Sequence, residues 1–414
     1  MRVLIVNTAE RTGGAAIAAN RLLHALNRNG VEARMLVRDR KTDAADVVSI
    51  PRSWKLKANF LWERGIIWLN NNLSEKGIFQ VDIANAGTDI SKLDVFHWAD
   101  VIHLHWVNQG FLSLKNLERI LASGKPVVVT LHDQWYFTGI CHYSNSCEKY
   151  HTQCERCPML KGHWLDLARR VYDHKRAMYQ GRNITFVGCS RWMADMARQS
   201  RLTQGHTVTN IPNAIDTDVF KPMDKQEARL RFNLPIDKKL ILFGAQRITD
   251  ERKGFRFLAE ACEHISMHHP SLPGNLGVVV LGGDAELVKS ALPLPVYPVN
   301  YLSNETEIAR LYNAADLFVT PSLQDNLPNT IVEAMSCGVP CVGFDVGGIP
   351  EMIGHQHNGY VADYCDSMDF AQGIVWCLND SRHSALSDAA RATALAAYSQ
   401  RAVAARYLEI YNLF

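Results

Sequence analysis

The chain has 414 residues, 47% of them hydrophobic, and its formal net charge is +2 with histidine neutral. This length suits two domains of similar size, and the near balance of charge excludes the net basic field by which many proteins bind nucleic acid. No stretch has the roughly 20 consecutive apolar residues of a membrane-spanning helix, and ten cysteines in this length do not suggest the disulfide framework of a small secreted domain, so we expect a cytoplasmic protein.

The first half of the chain alternates strand and helix patterns. The opening run, VLIVN, is continuously apolar, which is typical of a strand buried on both faces and indicates a first strand instead of a signal peptide. After Gly13 and Gly14, helical periodicity runs over residues 15–28 and ends at Gly30. Further strands are predicted at EARMLVR, DVIHLHW, PVVVTLH and ITFVGCS. The alternation predicts a parallel, doubly wound sheet.

The second half repeats the alternation after a connection, IPNAIDTDVFKPMD, that is rich in proline and aspartate. Strands are predicted at KKLILFGAQR, LGVVVLGG, PVYPVN, ADLFVTPS and VPCVGFDVGG, and the final segment, QRAVAARYLEIYNLF, has helical periodicity. Two sheets of this kind bind their ligands at the carboxyl ends of the strands. We therefore looked for polar residues that directly follow strands.

An acidic pair follows the strand ADLFVTPS. Asp325 lies in the loop, and Glu333, after seven intervening residues, lies on a helix whose start is marked by Pro328. The free amides of a helix start suit a phosphate or sugar hydroxyls, and Glu333 can accept hydrogen bonds from a diol such as ribose. A charged helix face is the alternative interpretation.

Two cations and two glycines follow other strands. Arg247 ends the run KKLILFGAQR, and Lys253 follows six residues later, directly before Gly254; beyond the strand end the two would neutralise a diphosphate leaving group. Solvated surface charge is the alternative. Gly13 and Gly14 allow the backbone to approach a ligand ahead of a helix start. Their spacing lacks the dinucleotide fingerprint, which disfavours a Rossmann dehydrogenase.

His132 ends the strand PVVVTLH and is followed by Asp133, so it is a site candidate. A cysteine-rich stretch comes next, with C-x5-C-x6-C-x2-C spacing. Thiolates in a reducing compartment favour a structural zinc site, and two disulfides or reduced thiols remain open. The four candidate ligands are Cys141, Cys147, Cys154 and Cys157.

Taken in this order, the acidic pair, the cations, the early glycines and the strand-end histidine resemble the family 4 retaining glycosyltransferases over nearly the whole chain. The resemblance implies an α/β protein of the GT-B fold, with two facing Rossmann-like, doubly wound parallel-sheet domains. It implies an N-terminal acceptor-side domain at 1–212 with a cysteine-rich insertion at 141–157. It also implies a C-terminal nucleotide-sugar-binding domain at 213–395 and a helix at 396–414 that crosses back to the first domain.

The resemblance also implies a role for each matching residue. Glu333 holds the ribose, Asp325 lies at the donor sugar, and His132 lies beside the transferred sugar. The positions matching the family's catalytic residues are His132, Asp325, Arg247 and Lys253, and those matching its donor-binding residues are Gly13, Gly14, Asn326, Leu327, Pro328, Asn329 and Glu333. The chain departs from the family in one respect, because Asp325 stands where the family most often has glutamate. Asp216 and Asp218 look like a metal-binding pair, but the resemblance implies no catalytic metal.

The cysteine-bearing stretch resembles a subgroup associated with bacterial surface polysaccharides, such as exopolysaccharide and capsule. We therefore expect a retaining hexosyltransferase that moves a sugar from a nucleotide-diphosphate sugar to a glycan or lipid-linked oligosaccharide acceptor. No cofactor is required for catalysis. The alternatives are a GT-B-fold sugar-nucleotide epimerase or phosphorylase, and a zinc-containing interaction module. Glu148 and Glu155 offset Lys149 and Arg156 around the cysteines, which disfavours nucleic acid as the partner of such a module.

The stretch RSWKLKANFLWERGIIWL is an amphipathic helix pattern. Its apolar face has Trp54, Ala58, Leu61, Trp62 and Trp68 or Leu69, and its flanks have Arg52, Lys55, Lys57 and Arg64. Packing of the apolar face on the N-terminal sheet is the favoured interpretation. The alternative is peripheral contact with the inner membrane, beside a lipid-linked acceptor.

Overall fold

A computed structural model of the chain describes residues 1–51, 53–269 and 271–414. Its contacts divide the chain into two compact units, and each is described here by itself. Unit 1 comprises Met1–Pro212 with Ala404–Phe414, and unit 2 comprises Asn213–Val403.

Unit 1 is built on a seven-stranded sheet in the order β3-β2-β1-β4-β5-β6-β7, in which all neighbouring strands are parallel. Every residue of β4, β5 and β6 is buried, as expected for strands covered on both faces. Its elements are β1 (Arg2–Ala9), α1 (Gly14–Arg28), β2 (Glu32–Asp39), β3 (Val47–Ser49), α2 (Trp54–Asn70), α3 (Asp94–Trp98), β4 (Val101–Leu104), α4 (Leu114–Ala122), β5 (Val127–Leu131), α5 (Leu167–Tyr179), β6 (Ile184–Gly188), α6 (Arg191–Gln199) and β7 (Thr207–Asn210).

Unit 2 is built on a six-stranded parallel sheet in the order β10-β9-β8-β11-β12-β13. The helix α14 belongs to unit 2 as far as Val403 and to unit 1 from Ala404. The elements are α7 (Lys225–Arg231), β8 (Lys239–Gly244), α8 (Phe255–His268), β9 (Leu276–Leu281), β10 (Val296–Val299), α9 (Glu305–Ala314), β11 (Leu317–Thr320), α10 (Asn329–Ser336), β12 (Cys341–Phe344), α11 (Ile349–Met352), β13 (Gly359–Ala362), α12 (Ser367–Cys377), α13 (Asp380–Tyr398) and α14 (Gln400–Tyr411).

The two parallel, doubly wound sheets that the sequence predicts are confirmed, and each strand predicted from an apolar run is present. β4 ends at Leu104, so His105 lies in the loop after it. The final segment differs from the expectation at its start, because residues 396–398 still belong to α13 and α14 begins at Gln400.

The orientation of α2 is opposite to the favoured expectation. Its buried residues are Glu63, Arg64, Ile67 and Asn70, whereas Trp54 and Trp62 are 77% and 60% exposed. The interpretation that its apolar face packs on the N-terminal sheet is therefore wrong. Arg64 does not flank the apolar face but is buried, and Arg52 lies outside the described residues.

Long apolar helices are missing from the described part of the chain. Within residues 1–51, 53–269 and 271–414, every helix is too short or too polar to span a bilayer.

Candidate functional site

The predicted donor residues of unit 2 lie at a topological switch point. β8 and β11 are neighbours in the sheet, while the chain leaves them toward opposite edges. In open parallel sheets this is where ligands bind, beyond the carboxyl ends of the strands. Arg247 and Lys253 follow β8, and Asp325 follows β11, so the sequence-predicted cations and the first acid come from the two loops at this point.

Lys253 and Asp325 are in direct contact. The Nζ atom of Lys253 lies 2.8 Å from Oδ2 of Asp325, and the two side chains are 32% and 16% exposed. The predicted diphosphate cation and the predicted sugar-side acid are therefore brought together, at a place that remains open to solvent. The shorter aspartate, where the family most often has glutamate, still reaches the lysine.

Two glycines allow the loops around this pair to pack closely. Gly254 has a φ of +69°, and a Cβ there would lie 1.8 Å from the carbonyl oxygen of Pro321. Gly347 has a φ of +60°, and a Cβ there would lie 1.9 Å from the carbonyl oxygen of Asp325. Any larger residue would separate these backbones, so the glycines hold the lysine and aspartate loops at their observed spacing.

Arg247 is exposed, and within residues 1–51, 53–269 and 271–414 its guanidinium has no hydrogen-bond or ion-pair partner. The turn that follows it is fixed by Asp284, which the sequence analysis missed. The Asp284 carboxylate accepts hydrogen bonds from Ile248 N at 2.7 Å and from the Thr249 hydroxyl at 2.8 Å. Asp284 could have been found from the sequence, because it directly follows two glycines at the end of a predicted strand, in the run LGGD.

Glu333 lies in α10, whose N-cap is Pro328. The Glu333 side chain is largely buried, and its Oε2 accepts a hydrogen bond of 2.9 Å from the hydroxyl of Tyr312. Burial, and then the nearby carboxylate, raises the pKa of Tyr312 well above its usual value, so this hydroxyl keeps its proton and donates. Tyr312, on α9, is a second residue that the sequence analysis did not single out.

The remaining predicted donor residues of unit 2 surround the start of α10. Asn326 and Leu327 are buried in the loop that leads into it. Asn329 is its first residue, and its Oδ1 accepts a hydrogen bond of 3.0 Å from Nδ2 of Asn213. The structure thus brings the loop residues and the helix start together within one unit.

In unit 1 the switch point lies between β1 and β4. The two strand ends are joined by a hydrogen bond of 2.7 Å from Thr8 N to the carbonyl of Trp106. Gly13 and Gly14 are exposed after β1, and Gly13 is the N-cap of α1 with a φ of +90°. These glycines therefore sit at an accessible helix start, as the sequence predicts.

His132, directly after β5, is engaged through both ring nitrogens. Its Nε2 lies 2.8 Å from Nδ1 of His105 and its Nδ1 lies 3.6 Å from Sγ of Cys189. Burial lowers the pKa of His132 to about 4. The imidazole is therefore neutral at physiological pH and can form hydrogen bonds without carrying charge.

Asp133 and His142 form an ion pair beside His132. Asp133 Oδ2 lies 2.7 Å from Nδ1 of His142, and it also accepts a hydrogen bond of 2.8 Å from the Trp106 indole. Burial alone would lower the pKa of His142, but the Asp133 carboxylate raises it. Burial alone would raise the pKa of Asp133, but His142 and its other hydrogen-bond donors lower it. The sequence analysis missed His142, which adjoins Cys141.

The cysteine-bearing stretch follows as the connection between β5 and α5. All four cysteines line one cavity of about 20 Å³, and three of them are buried. A hydrogen bond with Cys157, and then burial, raises the pKa of Cys141, and burial raises the pKa of Cys154 to about 12. In the parts of the chain that the structure describes, no three His, Cys, Asp or Glu side chains are arranged to hold a metal ion. The zinc site stays a prediction.

Lys175 of α5 stabilises the start of this connection through hydrogen bonds. The lysine is fully buried, and its Nζ donates to the carbonyls of Gly139 at 3.0 Å and Thr138 at 3.2 Å, and also to that of Trp135. Burial lowers the pKa of Lys175 to about 7. Three carbonyl acceptors match the three N–H groups of the ammonium form.

The aspartates at 216 and 218 form a turn. Asp216 Oδ1 accepts a hydrogen bond of 3.0 Å from the backbone N of Asp218. The spacing of the two aspartates, which resembles a metal-binding pair, is accounted for by this turn.

Comparison with protein families assigns both halves of the chain. The family described as Glycosyltransferase Family 4 matches residues 12–219, which is half of the chain. The chain belongs to glycosyltransferase family 4. A second description, Glycosyl transferases group 1, matches residues 237–380, a range that includes Arg247, Lys253, Asp325 and Glu333.

Curated relatives match over shorter stretches. A D-inositol 3-phosphate glycosyltransferase of Thermobispora bispora is 27% identical over 216 residues, half of each chain. One of Mycolicibacterium smegmatis is 32% identical over 186 residues, which are 42% of this chain and 40% of that protein. An N-acetyl-alpha-D-glucosaminyl L-malate synthase of Bacillus anthracis is 32% identical over 114 residues, 27% of this chain and 30% of that protein. The chain thus spans half or less of the length of these relatives.

Solved structures match along the whole chain. Sucrose-phosphate synthase from Thermosynechococcus elongatus has a TM-score of 0.67 at 18% identity, covering 100% of this chain and 98% of that one. HepE of Anabaena in complex with UDP and glucose has a TM-score of 0.63 at 16% identity, covering all of both chains. WaaG, a glycosyltransferase involved in lipopolysaccharide biosynthesis, has a TM-score of 0.62 at 16% identity and covers 99% of each chain.

At these low identities the structural matches show the fold alone. They confirm the predicted GT-B architecture of two Rossmann-like parallel-sheet domains. The prediction of family 4 is also confirmed, and with it the assignment to the glycosyltransferases. The surface-polysaccharide subgroup stays a prediction, and so do the individual roles of the site residues.

Proposed function

We propose that this protein is a retaining glycosyltransferase that moves a sugar from a nucleotide-diphosphate sugar to a glycan or lipid-linked oligosaccharide in bacterial polysaccharide biosynthesis. The observation that carries the proposal is the Lys253–Asp325 contact of 2.8 Å at the switch point of unit 2. A cation and an acid at the carboxyl ends of neighbouring strands suit the two ends of a sugar diphosphate. The family 4 match over half of the chain supports transfer over epimerisation or phosphorolysis.

In this proposal the cations of unit 2 act on the leaving group. Negative charge on the diphosphate grows as the bond between the donor sugar and the diphosphate breaks, so Lys253 and the exposed Arg247 stabilise the transition state more than the ground state. Asp325, in the loop after β11, contacts the donor sugar. Glu333 holds the ribose, with Tyr312 orienting its carboxylate.

The residue of unit 1 proposed to contact a sugar hydroxyl is His132. A neutral His132 cannot serve as a charged acid at physiological pH, and a hydrogen bond from its ring to a sugar hydroxyl would replace its contact with His105 or Cys189. We propose that the acceptor attacks from the face the diphosphate leaves, with the donor phosphate taking the acceptor proton, so the anomeric configuration is retained. No covalent intermediate and no catalytic cofactor enters this route.

Names of similar proteins guide the choice of donor and acceptor. HepE of Anabaena was solved with UDP and glucose and with UDP-glucose, so UDP-sugars are the first donors to try. The curated relatives are named for transfer to inositol 3-phosphate and to malate, so small anionic acceptors form the comparison set for glycans and lipid-linked oligosaccharides.

The experiment measures nucleotide binding and sugar transfer separately. We expect one nucleotide, titrated by calorimetry, to bind the full chain, and its sugar conjugate to yield an α-linked product by NMR when the donor is an α-conjugate. Lys253→Ala and Arg247→Ala should lower the rate at saturating donor more than they lower donor affinity. Lys239→Ala, which removes another exposed lysine paired with an aspartate, is the matched control. Loss of affinity at an unchanged saturated rate would refute the catalytic part.

We propose further that the four cysteines hold a structural zinc ion. Their shared cavity supports this, and binding would require the thiols to lose their protons. Elemental analysis of the purified protein should find zinc near one equivalent per chain, a ratio that follows from four thiolates on one metal. Protein without zinc that is fully active and stable would leave the cysteines as reduced thiols or disulfides.

A further inference from the structure

The outward face of α2 is apolar and aromatic. Trp54, Leu61, Trp62, Trp68 and Leu69 are 77%, 56%, 60%, 38% and 50% exposed. At 100° per residue they fall within one arc of the helix, so the exposure is continuous along its length. Soluble proteins rarely present an exposed apolar surface of this kind without a partner for it.

The inward face of α2 combines the core residue Ile67 with buried polar side chains, which fix the orientation of the helix. Glu63 Oε1 accepts hydrogen bonds from the backbone N of Ile83 at 2.9 Å and of Ala84 at 2.6 Å. Arg64 Nη2 lies 3.1 Å from Asp82 Oδ2. Rotation that buried the tryptophans would break these buried contacts and expose Ile67, which lies in the hydrophobic core, so the exposure of the tryptophans is a stable property of the fold.

A second segment extends the apolar face at the end of α2. Asn70 Nδ2 donates to the carbonyl of Gly162 at 3.2 Å, and its Oδ1 accepts from Leu165 N at 2.9 Å. These bonds place Trp164, 66% exposed, where its indole donates to the carbonyl of Leu69 at 3.4 Å. We call Trp54, Leu61, Trp62, Trp68, Leu69 and Trp164 together the tryptophan face.

Exposed positive charges border the tryptophan face. Lys55 and Lys57 are exposed and lie on opposite sides of the apolar arc at 100° per residue. Glu63, the acid of this helix, points inward and is buried. Tryptophan and lysine side chains at the edge of an apolar surface are typical of segments that lie in the headgroup region of an anionic bilayer.

We propose that the tryptophan face docks on an anionic phospholipid membrane, with α2 lying in the plane of the interface. Two-fold pairing with a second copy is disfavoured, because the same surface would meet itself and bring lysines against lysines. The proposal does not rest on sugar transfer, so it is tested without a donor.

The test is flotation of the full chain with vesicles of phosphatidylethanolamine and phosphatidylglycerol. The double variant Trp54→Ser/Trp62→Ser should lose vesicle binding by about tenfold or more, because each indole contributes buried apolar area. Lys55→Gln/Lys57→Gln should weaken binding by about fivefold per lysine and reduce its salt dependence. Met267→Ser/Leu287→Ser, which changes two exposed apolar residues of unit 2 (72% and 73% exposed), should leave binding unchanged.

Three results would overturn the inference. The first is an unaltered chain that fails to float with the anionic vesicles. The second is equal loss in the Met267→Ser/Leu287→Ser control. The third is a dimer in analytical ultracentrifugation that the tryptophan variant converts to monomer, since this would assign the face to a second copy. Circular dichroism of each variant excludes unfolding as the cause of lost binding.

Discussion

Glu63 illustrates how one buried side chain links pH to stability. Burial, and then hydrogen bonding and repulsion from Asp82, raises the pKa of Glu63 to about 9, although Arg64 acts in the opposite direction. The native protein therefore keeps a proton at neutral pH that the unfolded chain, with an ordinary glutamate, has released. The protonated Glu63 therefore contributes to the free energy of unfolding. This contribution is complete below the pKa of glutamate in the unfolded chain, and it is lost as the pH rises through the pKa of Glu63 in the native protein.

We predict that Glu63→Gln flattens this dependence. Between roughly pH 5 and 9, the free energy of unfolding of the unaltered protein should contain a component that falls by at most about 1.4 kcal/mol per pH unit. Glutamine keeps the carbonyl that accepts from Ile83 and Ala84 but cannot lose the proton. Urea unfolding at several pH values measures the slope, with the exposed Glu75→Gln as control. Equal slopes for Glu63→Gln and the unaltered protein would contradict the prediction.

Glu333 and Tyr312 provide the residue-scale test of nucleotide binding. Glu333→Ala should weaken binding of the free nucleotide by about 1.5–3 kcal/mol, because a charged hydrogen-bonding partner is lost. Tyr312→Phe removes only the hydroxyl that orients the carboxylate and should cost about 1 kcal/mol. Calorimetric titration gives both values. Unchanged affinity in Glu333→Ala would remove it from the ribose role.

At the scale of elements, the loops after β8 and β11 depend on Gly254. We predict that Gly254→Ala destabilises the protein and separates Lys253 from Asp325, since its Cβ would collide with the Pro321 carbonyl at 1.8 Å. Gly181 has the same φ of +69° with nothing within 4 Å of the added carbon. Gly181→Ala should therefore cost only the backbone strain, about 1 kcal/mol.

Urea unfolding compares the two alanine variants, and nucleotide titration shows whether the lysine loop has moved. The difference between the two free energies of unfolding isolates the collision from the strain. A Gly254→Ala protein as stable as Gly181→Ala, with unchanged nucleotide affinity, would show that the loops can separate without consequence.

The apolar runs predicted most elements because a strand buried on both faces must be continuously apolar. β5 is a clear case, whereas β3, β7 and β13 were not predicted, and β3 and β7 include polar residues that interrupt the apolar pattern. Periodicity also predicted which apolar residues of α2 share a face, although Arg64, which was expected to flank that face, is buried. It could not predict which face points inward, because that depends on Asp82 and the backbone of Ile83 and Ala84, which belong to a loop without a pattern.

The site was predictable where residues follow strands and unpredictable elsewhere. Lys253 and Asp325 were each found from their place after a strand, and the strand order brings them into contact. His142 was missed because its partner, Asp133, is reached by a loop that returns to the end of β5. Asp284 was missed because its role is to fix a turn, and its partners are mainly backbone amides.

At the scale of the whole molecule, the two units carry different parts of the proposed chemistry. The residues proposed to bind the nucleotide, Arg247, Lys253 and Glu333, all belong to unit 2, while the His132–His105 and Asp133–His142 contacts belong to unit 1. Substitutions without shared partners act independently. Variants of unit 1 should therefore change turnover without changing the binding of a free nucleotide, whereas variants of unit 2 can change both.

We predict that His142→Gln lowers turnover while leaving nucleotide affinity unchanged. Glutamine removes the positive charge that pairs with Asp133 at 2.7 Å, so a buried carboxylate loses its main partner and the segment beside His132 shifts. The nucleotide contacts proposed for unit 2 include neither residue. His163→Gln, at an exposed histidine of the same connection, is the control and should change neither quantity. If His142→Gln weakened nucleotide binding as much as Glu333→Ala, the assignment of nucleotide binding to unit 2 alone would be wrong.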